Sequence, residues 1–258
     1  MSALLKQAET DADGMPLAFV VAGHNGSGKS TLWYDRMSPV LQRPLINADR
    51  LITSILPPAD SNGHLVPWAA KMRDDDVRWQ VLAQEGVAAF TQLVTSKKMS
   101  FAFETVFSYW EKQPDGSFKS KIELIENLQQ AGYFVVLFFV GLANVDISMA
   151  RVRQRRERGG HDVDKRKLKD RFPRTQKAIG HAAPLADMTV MFDNSLGIGQ
   201  AFRVSRVQRK NAVLFDCRDP RYHIPSDLHI AATLWLDQVA GNFPTGPKTL
   251  RGKSFTTD

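Results

Sequence analysis

Gly23, His24, Asn25, Gly26, Ser27, Gly28, Lys29 and Ser30, followed by Thr31, have the spacing G-x-x-x-x-G-K-S/T. Glycines at these positions let backbone N–H groups turn inward around a chain of phosphates, and the helix that follows presents the positive end of its dipole. Lys29 is then placed to reach the β- and γ-phosphates, and the Ser30 hydroxyl to ligate Mg²⁺. The chemistry implied for residues 23–31 is therefore binding of ATP with Mg²⁺. No N-K-x-D tetrad follows, which argues against a guanine-reading switch protein.

Phosphoryl transfer needs more than this cradle: a base beside the acceptor hydroxyl, a metal ligand, and positive charge on the transferring group. Asp49, Glu104, Asp193 and Asp216 each follow an apolar run, so the pattern leaves open which acid joins Ser30 at the metal. Asp49 and Glu104 stand at the C-terminal ends of predicted parallel strands, the edge at which open α/β sheets bind ligands. The competing roles are structural. Asp49 would cap a helix starting at Arg50, and Glu104 would be a buried acid held by local backbone.

The positive charge is concentrated in one stretch. Arg151, Arg155 and Arg158 fall at i, i+4 and i+7 on one helix face, Gly159-Gly160 follows as a hinge, and Lys167, Arg171 and Arg174 repeat the spacing. Residues 151–175 read as a lid closing over phosphates, with a solvated basic helix pair as the bland alternative. His161 after the glycines is a further contact candidate. Trp68, Trp79 and Trp110 read as core or groove-lining packing, and Asp74, Asp75 and Asp76 as a solvated helix face.

The elements that must position these groups alternate. Buried strands are predicted at 16–22, 45–48, 99–103, 134–140 and 188–192, with helices at 29–38, 68–96, 118–130, 144–158 and 164–179, the last kinked or ended by Pro173. A turn is expected at Pro114–Gly116. Strand–helix alternation implies an α/β fold of phosphate-loop NTPase type, a mostly parallel sheet flanked by helices. After Ser195 the pattern changes to an antiparallel hairpin, 202–207 with 212–215, and a helix over 226–239. The organisation expected is a domain over 1–200 and a hairpin-plus-helix extension over 201–258, with a polar, mobile tail from Thr245.

Composition agrees. With 43% apolar and 24% charged residues, the 258-residue chain is neither disordered nor fibrous, and its length suits one or two domains. The net charge of +7 points to an anionic substrate or partner. Cys217 is the sole cysteine, and the N-terminus lacks a basic start followed by an apolar core, so a cytoplasmic protein is expected. The longest apolar run, 133–143, is about half of what a bilayer span requires.

In order along the chain, AGHNGSGKST (22–31), NADR (47–50), FAFETVFS (101–108), RGGHDV (158–163), RFPRT (171–175) and LADMTVMFDNS (185–195) resemble the zeta toxin family of phosphate-loop kinases, in the branch labelled predicted ATPases. The resemblance spans residues 16–195 and leaves the hairpin and helix beyond without a counterpart. It implies ATP- and Mg²⁺-dependent phosphorylation of a hydroxyl of UDP-N-acetylglucosamine or a related nucleotide sugar, restrained by an antitoxin protein. Lys29 and Ser30 then match the nucleotide loop, Asp49 the general base, and Glu104 and Thr105 the substrate and metal side. Arg151, Arg158 and Arg171 match the lid arginines. The chain differs in its HNGSGKS loop and its Gly-Gly-His-Asp block. Two other readings remain: a kinase of nucleic-acid ends, from Arg203, Arg206, Arg209 and Lys210 in the hairpin, and a nucleotide-gated binding module without an acceptor.

Overall fold

The structure is a computed structural model and describes residues 1–116, 118–160 and 163–243. His161 and the tail from Thr245 lie outside the described residues.

The chain opens with α1 (Ser2–Ala12), which no sequence signal announced, and enters β1 (Leu17–Gly23), buried at every position as a central parallel strand must be. Beyond the phosphate loop, the helix expected over 29–38 is not uniform. α2 (Lys29–Thr31) passes through a π-helical stretch, Leu32–Met37, into α3 (Ser38–Leu41). The wider turn brings Leu32, Trp33 and Met37 to the core together, which compensates its poorer hydrogen bonding. β2 (Leu45–Ile46) and α4 (Ala48–Ser54) follow.

The single helix expected over 68–96 is two, α5 (Pro67–Asp75) and α6 (Val77–Ser96). Asp76 between them is extended, and its carboxylate accepts from the N–H groups of Arg78 and Trp79. A cap therefore overrides helix continuity, and Asp76 is no part of a solvated helix face. β3 (Phe101–Thr105) leads to a small hairpin, β4 (Trp110–Lys112) and β5 (Phe118–Ser120), around the expected turn. Its strands were not foreseen. Next come α7 (Ile122–Gln130), β6 (Phe134–Gly141) and α8 (Val145–Glu157), the last capped by Asn144 through the Ile147 N–H.

α9 (Lys165–Ala182) continues through Pro173, which does not end the helix. Leu168, Phe172, Thr175, Gln176 and Ile179 are buried on both sides of the proline, and this packing outweighs the one lost hydrogen bond. β7 (Met188–Asp193), β8 (Arg203–Arg209), β9 (Ala212–Asp216) and α10 (Ser226–Ala240) complete the described chain.

Among the described residues seven strands form one sheet in the order β2-β3-β1-β6-β7-β8-β9. The first five are parallel and the β7-β8-β9 edge is antiparallel, so the C-terminal hairpin pairs directly with the main sheet. Alternate residues of β1 feed two cores. Ala18, Val20 and Ala22 face one that includes Ile179 and Trp235, while Leu17, Phe19 and Val21 face one that includes Leu5, Trp33 and Phe192. The register sets Glu104 beside Val21 and Thr105 beside Ala22, at the strand ends from which the phosphate loop springs.

Candidate functional site

The phosphate loop is held from three sides. Asn194, just after β7, donates from Nδ2 to the Ser27 carbonyl at 2.8 Å, and the Ser148 hydroxyl of α8 donates to the Asn25 carbonyl at 2.7 Å. Lys29 Nζ donates to the His24 carbonyl at 3.0 Å. Gly28 sits at φ +93°, and a Cβ there would stand 2.7 Å from Asn194 Nδ2, so only glycine fits both the turn and the contact. Lys29 is buried. Loss of hydration pulls its pKa down, opposed chiefly by the Glu104 carboxylate. A desolvated ammonium at the end of an inward-turned loop is arranged for an anion.

His24 takes part only through its backbone. Its ring leaves the cleft, stacks on Phe172 of α9 with centroids 3.8 Å apart, and meets Phe139 edge-on. Both ring nitrogens are buried without a hydrogen-bond partner, and burial with the nearby Lys29 charge lowers the pKa to about 3. The imidazole is neutral at any physiological pH and ties the loop to α9 as an aromatic ring would.

Three acids line the cleft with the loop's Ser30 and Thr31: Asp35 on the π-helical stretch, Asp49 in the first turn of α4 and Glu104 at the end of β3. The Ser30 hydroxyl lies 3.0 Å from both Glu104 oxygens, and Asn47 Nδ2 donates to Glu104 Oε2 at 2.7 Å. Asn47 also caps α4 through the Arg50 N–H. Because Asn47 takes the capping role, Asp49 is left facing the cleft. The other two acids belong to the scaffold. Asp193 is fully buried and accepts from Trp235 Nε1 and from the Ser195 N–H and hydroxyl, while Asp216 holds Arg206 and Arg218. The ambiguity over the second metal partner narrows to Glu104 and Asp49.

Among the described residues no group of three or more His, Cys, Asp or Glu is arranged to hold a metal. Ser30 with Glu104 is the donor set that suits Mg²⁺, which keeps several waters and takes one or two protein oxygens plus substrate phosphates. The residues present therefore fit this ion.

Arg151 and Arg155 of α8 and Arg171 and Arg174 of α9 line the same cleft. Arg158 and Lys167 do not. Arg158 caps α8 beside the backbone of Gly63, where a Cβ on Gly63 would fall 2.5 Å from the Arg158 carbonyl. That turn is also gripped by α5: Arg73, itself held by Asp74, donates from Nη1 to the Gly159 carbonyl at 3.1 Å. Trp68 is exposed rather than packed, whereas Trp110 stacks on Phe118 and meets His181 at a tilt.

Sequence reasoning missed Lys121, Asn47, Arg73 and Asn194. Asn47 carries a signal, an Asn preceding a helix. Lys121 carries none: it reaches the cleft because the β4–β5 hairpin returns the chain beside β3, where Nζ donates to Thr105 Oγ1 at 2.6 Å. The cleft measures about 1460 Å³, above the roughly 300–1,000 Å³ of a typical single-ligand pocket.

The hairpin cations are mostly matched within the fold. Arg206 pairs with Asp216, Arg209 with Asp11 and Lys210 with Asp187. Among the described residues no helix is long and apolar enough to cross a membrane.

Comparison with known proteins agrees with this architecture. No curated protein matches the chain in sequence. Among solved structures, the chain is similar to one from the PezAT chromosomal toxin–antitoxin system of Streptococcus pneumoniae, at 13% identity over 95% of this chain and 88% of that one, TM-score 0.50. It is also similar to AvrRxo1-ORF1:AvrRxo1-ORF2 with sulphate ions, at 16% identity over 82% and 67%, TM-score 0.55. The same complex with ATP matches at 16% identity over 82% and 67%, TM-score 0.53. At these identities the likeness establishes the fold. The zeta toxin family model matches residues 2–219, which takes in α1 and both strands of the C-terminal hairpin and corrects the expectation that the hairpin has no counterpart. With that match over most of its length, the chain belongs to the zeta toxin family.

Proposed function

We propose that the protein is a kinase that moves the γ-phosphoryl group of ATP to a hydroxyl of a nucleotide sugar, UDP-N-acetylglucosamine or a relative, and that it is the toxin of a toxin–antitoxin pair. One observation carries the reading: a desolvated Lys29, the Ser30–Glu104 pair, a cleft-facing Asp49 and the α8–α9 arginines share one cleft of about 1460 Å³.

In this reading the loop N–H groups and Lys29 bind the triphosphate, and Ser30 and Glu104 hold Mg²⁺. When bound there, the ion would supply positive charge to the phosphates of the nucleotide. Asp49 accepts the proton of the acceptor hydroxyl as the new O–P bond forms and the bond to the β-phosphate oxygen breaks, leaving ADP and the phosphorylated acceptor. Arg151 and Arg171 offset the charge on the moving group, with Arg158 brought in by lid closure, and Thr105 lines the acceptor side. Closure of the lid excludes water, so that the phosphoryl group reaches the sugar hydroxyl rather than solvent.

Membership of a family whose structural neighbours include a toxin–antitoxin system supports the proposed antitoxin partner. A nucleic-acid acceptor draws less support, since three of the four hairpin cations that motivated it are paired with carboxylates. The test is transfer from γ-labelled ATP to a panel of nucleotide sugars and oligonucleotides. Label on a nucleotide sugar bears the reading out, and label on oligonucleotide alone replaces it.

A further inference from the structure

The two helices that carry the cleft arginines are seated on the phosphate loop in different ways. α8 lies directly on it: a Cβ on Gly26 would stand 3.1 Å from the Ser148 carbonyl oxygen and 3.2 Å from Arg151 Cβ. The Ser148 hydroxyl adds its bond to the Asn25 carbonyl at 2.7 Å, so close packing of helix on loop places Arg151. α9 is seated by a stack of side chains. The His24 ring lies on Phe172 with planes 12° apart and centroids 3.8 Å apart, and one turn further on the Thr175 hydroxyl donates to the Val106 carbonyl at 3.3 Å. With neither ring nitrogen hydrogen-bonded, the imidazole brings to this contact its flat face alone.

Leu168, Phe172, Thr175 and Ile179 share the buried face of α9, while Arg171 and Arg174, three residues apart, share the adjoining face and line the cleft. Pro173 lies between these arginines and next to Phe172. It lacks the N–H that would bond the Lys169 carbonyl, so the turn that carries the arginines is the one short of a hydrogen bond. Rotating that turn by about 10° moves a group on the helix surface, about 5–6 Å from the axis, by about 1 Å. An error of about 1 Å at a transferring group can cost about 10²-fold in rate. The His24 ring therefore braces α9 beside the residue at which the helix is least able to hold its own rotation.

We propose that His24 and Phe172 are positioning residues: their stack fixes the rotation of α9 at Pro173 and so holds Arg171 and Arg174 where they meet the terminal phosphate of ATP bound at the loop. The role of the two arginines rests on the kinase reading, whereas the stack acts on nucleotide binding itself. It makes α9 the element that tells ATP from ADP.

The experiment is calorimetric titration of ADP, and separately of a non-hydrolysable ATP analogue, each with Mg²⁺, into the full chain as wild type, Phe172→Leu and Phe172→Tyr. The same titrations are made with an Arg171→Ala, Arg174→Ala chain, with and without Phe172→Leu. Phe172→Leu keeps an apolar side chain without the ring, and should bind the analogue about tenfold more weakly while ADP affinity stays within about twofold; Phe172→Tyr, which keeps the ring, should recover most of the loss. In the chain without the two guanidinium groups, Phe172→Leu should change analogue affinity by no more than about twofold. Unchanged analogue affinity in Phe172→Leu overturns the positioning role. An equal loss for ADP and analogue, or a loss that persists without the arginines, makes the stack a plain packing contact and also overturns it. A loss confined to the analogue, in a protein that labels no acceptor, leaves the positioning role standing and removes the kinase reading. Transfer by a Phe172→Leu protein of unchanged analogue affinity does the reverse.

Discussion

The Ser30 hydroxyl stands 3.0 Å from each carboxylate oxygen of Glu104, although 74 residues separate them in the chain. Parallel pairing of β1 with β3 makes the contact, and Asn47 fixes the carboxylate from the other side at 2.7 Å. Asn47 has two roles that substitution separates. Asn47→Ser keeps a cap for α4 but cannot reach Glu104, so stability should hold while the Mg²⁺ concentration for half-maximal ATP turnover rises about 10- to 100-fold. A Mg²⁺ titration of the two proteins checks this, and superimposable curves would contradict it.

The buried ring of His24 predicts a specific pH dependence. An unfolded histidine titrates near 6.5, but the folded ring does so at about 3. Above about pH 6.5 neither state is charged and stability is full; below it the unfolded chain binds a proton that the folded one refuses. Stability should therefore fall by about 1.4 kcal/mol per pH unit from this group as pH drops toward 3. His24→Phe keeps a ring against Phe172 and removes the proton, so denaturant unfolding between about pH 6 and pH 4 should show a shallower loss by that slope. Equal slopes would mean that the ring is hydrated.

Asp193 and Asp49 both follow strands in the sequence, yet the structure gives them different work. Asp193→Ala strips an acceptor from the Trp235 indole and from Ser195, and should cost about 2–4 kcal/mol in chemical denaturation. Asp49→Ala, which removes a cleft-facing side chain, should cost no more than about 1 kcal/mol. Similar losses for the two would erase the distinction.

Much of this was legible in the chain. β1 and β6 are unbroken apolar runs ending in glycine, and the phosphate loop lies where such a strand meets a helix. What failed were cases where one local hydrogen bond or distant packing outweighed the pattern. Asp76 looks like helix surface but its carboxylate caps α6, and Pro173 looks like a break but buried neighbours on both sides carry α9 through it. Helical spacing placed Arg158 with Arg151 and Arg155, but it misses the cleft because α8 ends there and its turn is held against Gly63. Lys121 was invisible because its position depends on a hairpin of two three-residue strands, too short for alternation to register.

The central claim is that Asp49 accepts the proton from an acceptor hydroxyl while Lys29 and the loop hold the nucleotide. Its most direct test is transfer of label from γ-labelled ATP to UDP-N-acetylglucosamine and related nucleotide sugars by wild type, Asp49→Asn and Lys29→Met, with ATP binding measured alongside. Wild type should label a nucleotide sugar, Asp49→Asn should bind ATP normally yet transfer about 10²- to 10⁴-fold more slowly, and Lys29→Met should lose nucleotide affinity. Transfer by Asp49→Asn at the wild-type rate, or wild type that labels no nucleotide sugar, would contradict the account.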